Sequence, residues 1–187
     1  MLMDGKKLIR EFRRKIERGF SLIEVMMAMS VLVVGVLGGV LVISVAAANN
    51  GRSKLHTTAV TLAESTMERI LVIPQKATGA AAQTKITDCA GNTFTMQTAL
   101  GGSPLISSGA FAGTIDYSQP PQPDYSMRYV MCSAGNGVAY DVRWRIDPGP
   151  TPSIQVVTVS SKTIAGGGAA AAQFTLPYNL RSYRGNF

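Results

Sequence analysis

From Val25 to Ala48 the chain carries no charged side chain. As a helix, those 24 residues would extend about 36 Å, enough to cross a hydrocarbon core of about 30 Å. After Asn49-Asn50-Gly51-Arg52 the pattern changes. Leu55, Ala59, Leu62, Met67, Ile70, Leu71 and Ile73 recur close to one helical face, and Glu64, Glu68 and Arg69 fall mainly away from it. Pro74 then ends the pattern. This predicts one long helix from about Ser21 to about Ile73. Asn and Gly are turn residues, so Asn49–Gly51 is the natural place for a bend. The first half is apolar all round, and the second half is an amphipathic spine for a head domain.

Beyond Pro74 the composition shifts to Ala, Gly, Ser and Thr over 75–122. Short strands are expected at Lys85–Asp88 and Thr93–Thr98. Residues 118–124, "SQPPQPD", read as a Pro-rich connector. Stronger strands follow: "YSMRYVMC" (125–132), "VAYDVRWRI" (138–146) and "SIQVVTVSSK" (153–162), rich in β-branched and aromatic residues. Two short connections between them argue for an antiparallel meander. In the middle strand Val142, Trp144 and Ile146 alternate with Asp141, Arg143 and Arg145. The apolar set is expected to face the spine and the charged set to face solvent. Residues 165–173 read as a loop, and Phe174–Tyr178 as a last strand or edge segment. The fold class is α+β, a long N-terminal helix on a C-terminal antiparallel sheet. The organisation is an N-terminal basic segment (1–19), an apolar helix (20–48), a spine (49–74) and a head (75–187).

Charge refines this picture. Net charge is +7, but residues 1–19 hold seven basic and three acidic side chains, so +4 lies there. The high isoelectric point therefore does not imply a nucleic-acid-binding head. A basic cluster ahead of an apolar run places the N-terminus in the cytoplasm and sends the remainder across the membrane.

Glu24 is the puzzle, since a carboxylate stands at the head of the apolar run. A cleaved secretory signal is one reading, with Ala46-Ala47-Ala48 as the cleavage site, although the apolar stretch exceeds the usual 7–15 residues. An uncleaved anchor is another, with Glu24 near the cytoplasmic surface.

A third reading comes from "RGFSLIEV". Gly19, Phe20, Ser21, Leu22, Ile23 and Glu24, between a charged leader and an apolar helix, resemble the junction of the type IV prepilins, the family of pilus subunits and type II secretion pseudopilins. The resemblance covers roughly residues 10–73. It implies cleavage between Gly19 and Phe20 by a membrane-embedded prepilin peptidase, and methylation of the new Phe20 amine by the same enzyme. Residues 1–19 are then a cleaved leader. Glu24 occupies the family's acidic fifth position, where it pairs with the terminal amine of a neighbouring subunit and sets assembly register. Such a pair makes the cost of a carboxylate in lipid tolerable. The implied partners are other pilins or pseudopilins through the N-terminal helix, the peptidase/methyltransferase, an inner-membrane assembly platform, and lipid before assembly. The implied location is the inner membrane, single-pass with a periplasmic head, and then a pilus or pseudopilus. Many major pilins carry a proline in the apolar half; this chain has Gly35, Gly38 and Gly39 instead. "MSVLVVGVLGG" and "LAESTMERI" are most similar to PilV-type minor pilins, with secretion pseudopilins sharing much of the pattern.

Cys89 and Cys132 both lie on the exported side, where a disulfide between them is the favoured state. No catalytic or cofactor-binding constellation is legible, so neither enzymatic activity nor a cofactor is expected. His56 is the sole histidine, which rules out a His-His metal pair. Arg143-Trp144-Arg145 is a candidate for stacking on nucleic acid. Strand alternation puts the tryptophan opposite the two arginines and argues against that partner. A pilus-tip adhesin or DNA receptor remains the binding-module alternative.

Overall fold

The computed structural model describes residues 21–133, 136–164 and 176–185. Two compact units divide the chain between Asn49 and Asn50. Helix α1 runs over Leu22–Val72, 51 residues. Asn49, Asn50 and Gly51 are all helical. A helical glycine costs only about 1 kcal/mol against alanine, which the long helical stretches on both sides offset. Before Pro74 the helix tightens, with the Ile73 N–H donating to the Ile70 carbonyl at 3.3 Å.

A short 3₁₀ turn, Gly79–Ala82, leads into a two-stranded hairpin of β1 (Gln83–Thr87) and β2 (Thr93–Gln97). The main sheet holds β3 (Gly101–Gly102), β4 (Ser126–Ser133), β5 (Asn136–Pro148), β6 (Ile154–Thr163) and β7 (Tyr178–Gly185). Its order is β3-β5-β6-β7, with β4 also on β5, and every pairing is antiparallel. The fold is thus α+β: a long N-terminal apolar helix and antiparallel sheets, in a type IV pilin-like arrangement. The expected meander is present: β4 and β6 lie one residue later than their sequence patterns, and β5 extends beyond its pattern at both ends. The expected 165–173 loop and Phe174 lie outside the described residues, and the final strand starts at Tyr178.

The head core forms where the spine half of α1 meets one sheet face. Ala59, Leu62, Ala63, Met67 and Ile70 cluster with Val142, Trp144, Ile146, Val157 and Val159. Trp144 pairs across the sheet with Val159, and Ile146 with Val157, so the apolar alternation of β5 continues in β6. The Trp144 indole is fully buried and donates to the Gln97 carbonyl at 2.8 Å, tying the sheet to the hairpin. At Gly102, φ is +130°, and a Cβ there would stand 2.5 Å from the Trp144 carbonyl oxygen. Only glycine lets β3 lie this close to β5.

The charged face of β5 corrects the expectation. Arg143 is 5% exposed rather than solvent-facing. The segment between β3 and β4 crosses that face and covers it. Arg143 donates to both oxygens of Asp141 and to the Gln119 carbonyl, and its guanidinium lies 4.7 Å from the Tyr117 ring centroid. Tyr117 donates to Ser160 at 3.1 Å, and burial pushes its phenol well above the ordinary value. Arg145 stays at the margin, paired with Asp147 at 2.7 Å and one-third exposed. A sheet covered on both faces explains why β6 is buried from Gln155 through Ser161.

Candidate processing and assembly site

Gly19 and Phe20, the cleavage and methylation positions inferred from the sequence, lie outside the described residues. The chain is described from Ser21, which acts as the helix cap. Its carbonyl accepts the Glu24 N–H at 2.9 Å and the Val25 N–H at 3.2 Å. Glu24 therefore sits in the first turn of α1. There a negative side chain is favoured by the unpaired N–H groups and the positive end of the helix dipole. Glu24, Val25, Ala28, Met29 and Leu32 line a shallow groove along the helix surface. A carboxylate thus borders an otherwise apolar depression.

The rest of this helical half is a surface without a partner. From Leu22 to Val45 its large apolar side chains are 43–81% exposed. An 18-residue window of mean hydropathy 2.7 has none of its residues buried, and α1 is the one helix among the described residues long and apolar enough to cross a membrane. So large an apolar surface requires lipid or other apolar helices around it.

Below the spine's end lies a site the sequence did not reveal. Arg184 of β7 is 4% exposed. Its guanidinium donates to the carbonyls of Ile70 (3.3 Å), Ile73 (3.4 Å) and Thr98 (2.8 Å) and to Gln155 Oε1 through both Nε and Nη2. No carboxylate pairs with it among the described residues. Burial lowers its pKa, but a guanidinium keeps its proton and its charge. It caps the terminal carbonyls of α1 and joins them to Thr98 just after β2, to β6 and to its own β7. In sequence, an arginine in an edge strand looks solvent-facing.

Cys89 and Cys132 are joined by a disulfide, with Cα atoms 5.9 Å apart. It pins the hairpin turn to β4. Beside it, Asp88 Oδ2 accepts from the Val130 N–H at 3.2 Å, and both Asp88 oxygens accept from Asn92. Burial acts to raise the Asp88 carboxyl, but the Asn92 and Val130 hydrogen bonds outweigh it and hold the pKa below 3.8. His56 is exposed and meets Tyr178 edge-on at 5.9 Å. Among the described residues, no group of three or more His, Cys, Asp or Glu is placed to hold a metal.

One comparison with known proteins finds a match, and it lies at the N-terminus. Residues 14–40 match a family described as "Prokaryotic N-terminal methylation motif". No curated protein and no solved structure matches the chain. The matched span contains Gly19, Phe20 and Glu24 and runs into the unpartnered helix. It implies processing by a prepilin peptidase and assembly with other pilins, and it agrees with anchoring in the inner membrane. The motif and the long apolar helix together support a type IV prepilin-like protein.

Proposed function

We propose that this chain is a minor pilin-like structural subunit with no catalytic activity of its own. A prepilin peptidase cuts between Gly19 and Phe20 and methylates the Phe20 amine. The mature chain waits in the inner membrane with its head in the periplasm. An assembly platform then draws it into or onto the tip of a type IV pilus. Glu24 sets the register, because a carboxylate in an apolar helix bundle is relieved by a terminal amine from a neighbour. Methylation preserves that amine's positive charge. The observation that carries this reading is the methylation-motif match over residues 14–40, leading into a helix whose apolar side chains have no internal partner. The PilV-type similarity of "MSVLVVGVLGG" and "LAESTMERI" favours a minor over a bulk subunit.

The test is incorporation. In a host that assembles pili, the processed chain should appear in the sheared surface-filament fraction. Glu24→Gln should lower its incorporation at least ~10-fold, the equivalent of about 1.4 kcal/mol of lost pairing in an apolar medium. A processed chain that never leaves the membrane fraction, or a Glu24→Gln chain that incorporates normally, contradicts the reading.

A further inference from the structure

The turn between β5 and β6 builds a cavity at the end of the main sheet. Gly149 N–H donates to the Ile154 carbonyl at 2.9 Å, and Ile154 N–H donates to the Thr151 carbonyl at 3.0 Å. A Cβ at Gly149 would stand 2.6 Å from the Ile154 carbonyl oxygen, so glycine is needed to close the turn this tightly. Pro148, Pro150 and Pro152 stiffen it further. This preformed turn, Leu100 and the chain just past Pro74 enclose about 250 Å³. Two glutamine amides line the space, each held at one end. Gln155 is buried, and its Oε1 accepts from Arg184 Nε at 3.0 Å and from Arg184 Nη2. Its Nε2 has no acceptor among the described residues and is not sealed from solvent. Gln75 is held the other way round. Its Nε2 donates to the Pro152 carbonyl at 3.1 Å, and its Oε1 is buried with no donor among the described residues. One amide therefore offers a donor and the other an acceptor. The Thr151 hydroxyl is engaged with Ser153 Oγ at 3.2 Å. The other lining side chains are aliphatic, and none is charged or aromatic.

We propose that this cavity is a peptide subsite, which takes one peptide group and its aliphatic side chain from an uncharged segment of another polypeptide. A secondary amide matches both glutamines at once. Its carbonyl accepts from Gln155 Nε2, and its N–H donates to Gln75 Oε1. No water reaches that oxygen, so the Gln75 side chain shifts slightly to meet the ligand N–H. Pairing a buried acceptor offsets the shift. The proline rings, Leu100 and Ile154 receive the aliphatic side chain. An ionic ligand would bring its charge to a wall without a counter-charge. A sugar would set several hydroxyls against proline and leucine carbons without partners. The volume of about 250 Å³ lies below the ~300–1,000 Å³ of drug-sized sites, which limits the occupant to about one residue.

The test titrates the detergent-solubilised full chain with N-acetyl-leucine N-methylamide and follows isotopically labelled glutamine amides by NMR. The Gln75 and Gln155 side-chain resonances should move together, with a dissociation constant on the order of 1 mM for a ligand of this size. Gln155→Glu keeps an acceptor for Arg184 but removes the amide donor. It should hold the wild-type thermal midpoint or exceed it, and bind about fivefold more weakly or worse. Leu100→Ser, at a half-exposed wall that the fold does not depend on, should weaken binding about threefold. N-acetylglucosamine carries the same acetamido group on a sugar and should move neither resonance. Resonances that stay still with the leucine amide, equal shifts with the sugar, or wild-type affinity in either variant overturns the subsite. None of these outcomes touches processing or Glu24, so the assembly reading stands or falls by its own test.

Discussion

The Arg184 guanidinium donates to the Ile70 carbonyl at 3.3 Å, across 114 positions of sequence. One cation thereby closes the end of the helix that the N-terminal site begins. Carbonyls at a helix C-terminus lack intrahelical donors, and a positive group there also meets the negative end of the dipole. Arg184→Met keeps the volume but takes the guanidinium donor from the Ile73 and Thr98 carbonyls and Gln155 Oε1, and leaves Ile70 with the Ile73 N–H alone. It should cost about 2–4 kcal/mol, more than one orphaned acceptor would. Arg184→Lys should recover part of this, since an ammonium keeps the charge but not the planar fork. Urea unfolding of the detergent-solubilised chain measures both. A Met variant as stable as wild type would show that the capping is incidental.

The disulfide closes a 43-residue separation and holds the β1–β2 hairpin against β4. Loop-closure entropy assigns it roughly 4 kcal/mol. Cys89→Ser with Cys132→Ser should lose most of that and expose the hairpin to protease before the main sheet. A double variant with unchanged stability and an unchanged proteolysis pattern would contradict this role.

Asp88 should make the head acid-sensitive. Its folded pKa lies below the ordinary 3.8, so its ionised form is the one the fold stabilises. The contribution is complete above the unfolded pKa and declines as pH falls through the folded value. Stability followed downward from pH 6 should drop below about pH 4. Asp88→Asn should start lower and fall less steeply. Some slope should remain, because Ser118 hydrogen bonds and Arg143 also lower Asp116. Parallel pH profiles for the two proteins would remove Asp88 from the explanation.

Periodicity made the architecture legible, but not the covering of its second face. Val142, Trp144 and Ile146 face the core as their alternation indicated. Arg143 obeyed the same alternation yet is buried, because a loop with no strand pattern lies over it. That cover depends on Tyr117, Gln119 and Asp141, which meet only in three dimensions. The last strand, Tyr178–Gly185, lies beyond the expected 174–178 segment for a related reason. "YNLRSYRG" alternates Tyr178, Leu180, Ser182 and Arg184 toward the core side, and its polar members obscure the period. Buried arginines read as surface residues until their carbonyl partners are known. The N-terminal motif was legible because its signal is local. An acid, a glycine-aromatic junction and an apolar helix follow one another within 30 residues of sequence.

The account stands on one covalent event, and the intact mass of the chain purified from membranes reports it. Processing predicts a polypeptide that starts at Phe20 and carries one added methyl group. A chain retaining Met1, or one starting at Asn49 after the alanine run, would contradict the account at its root.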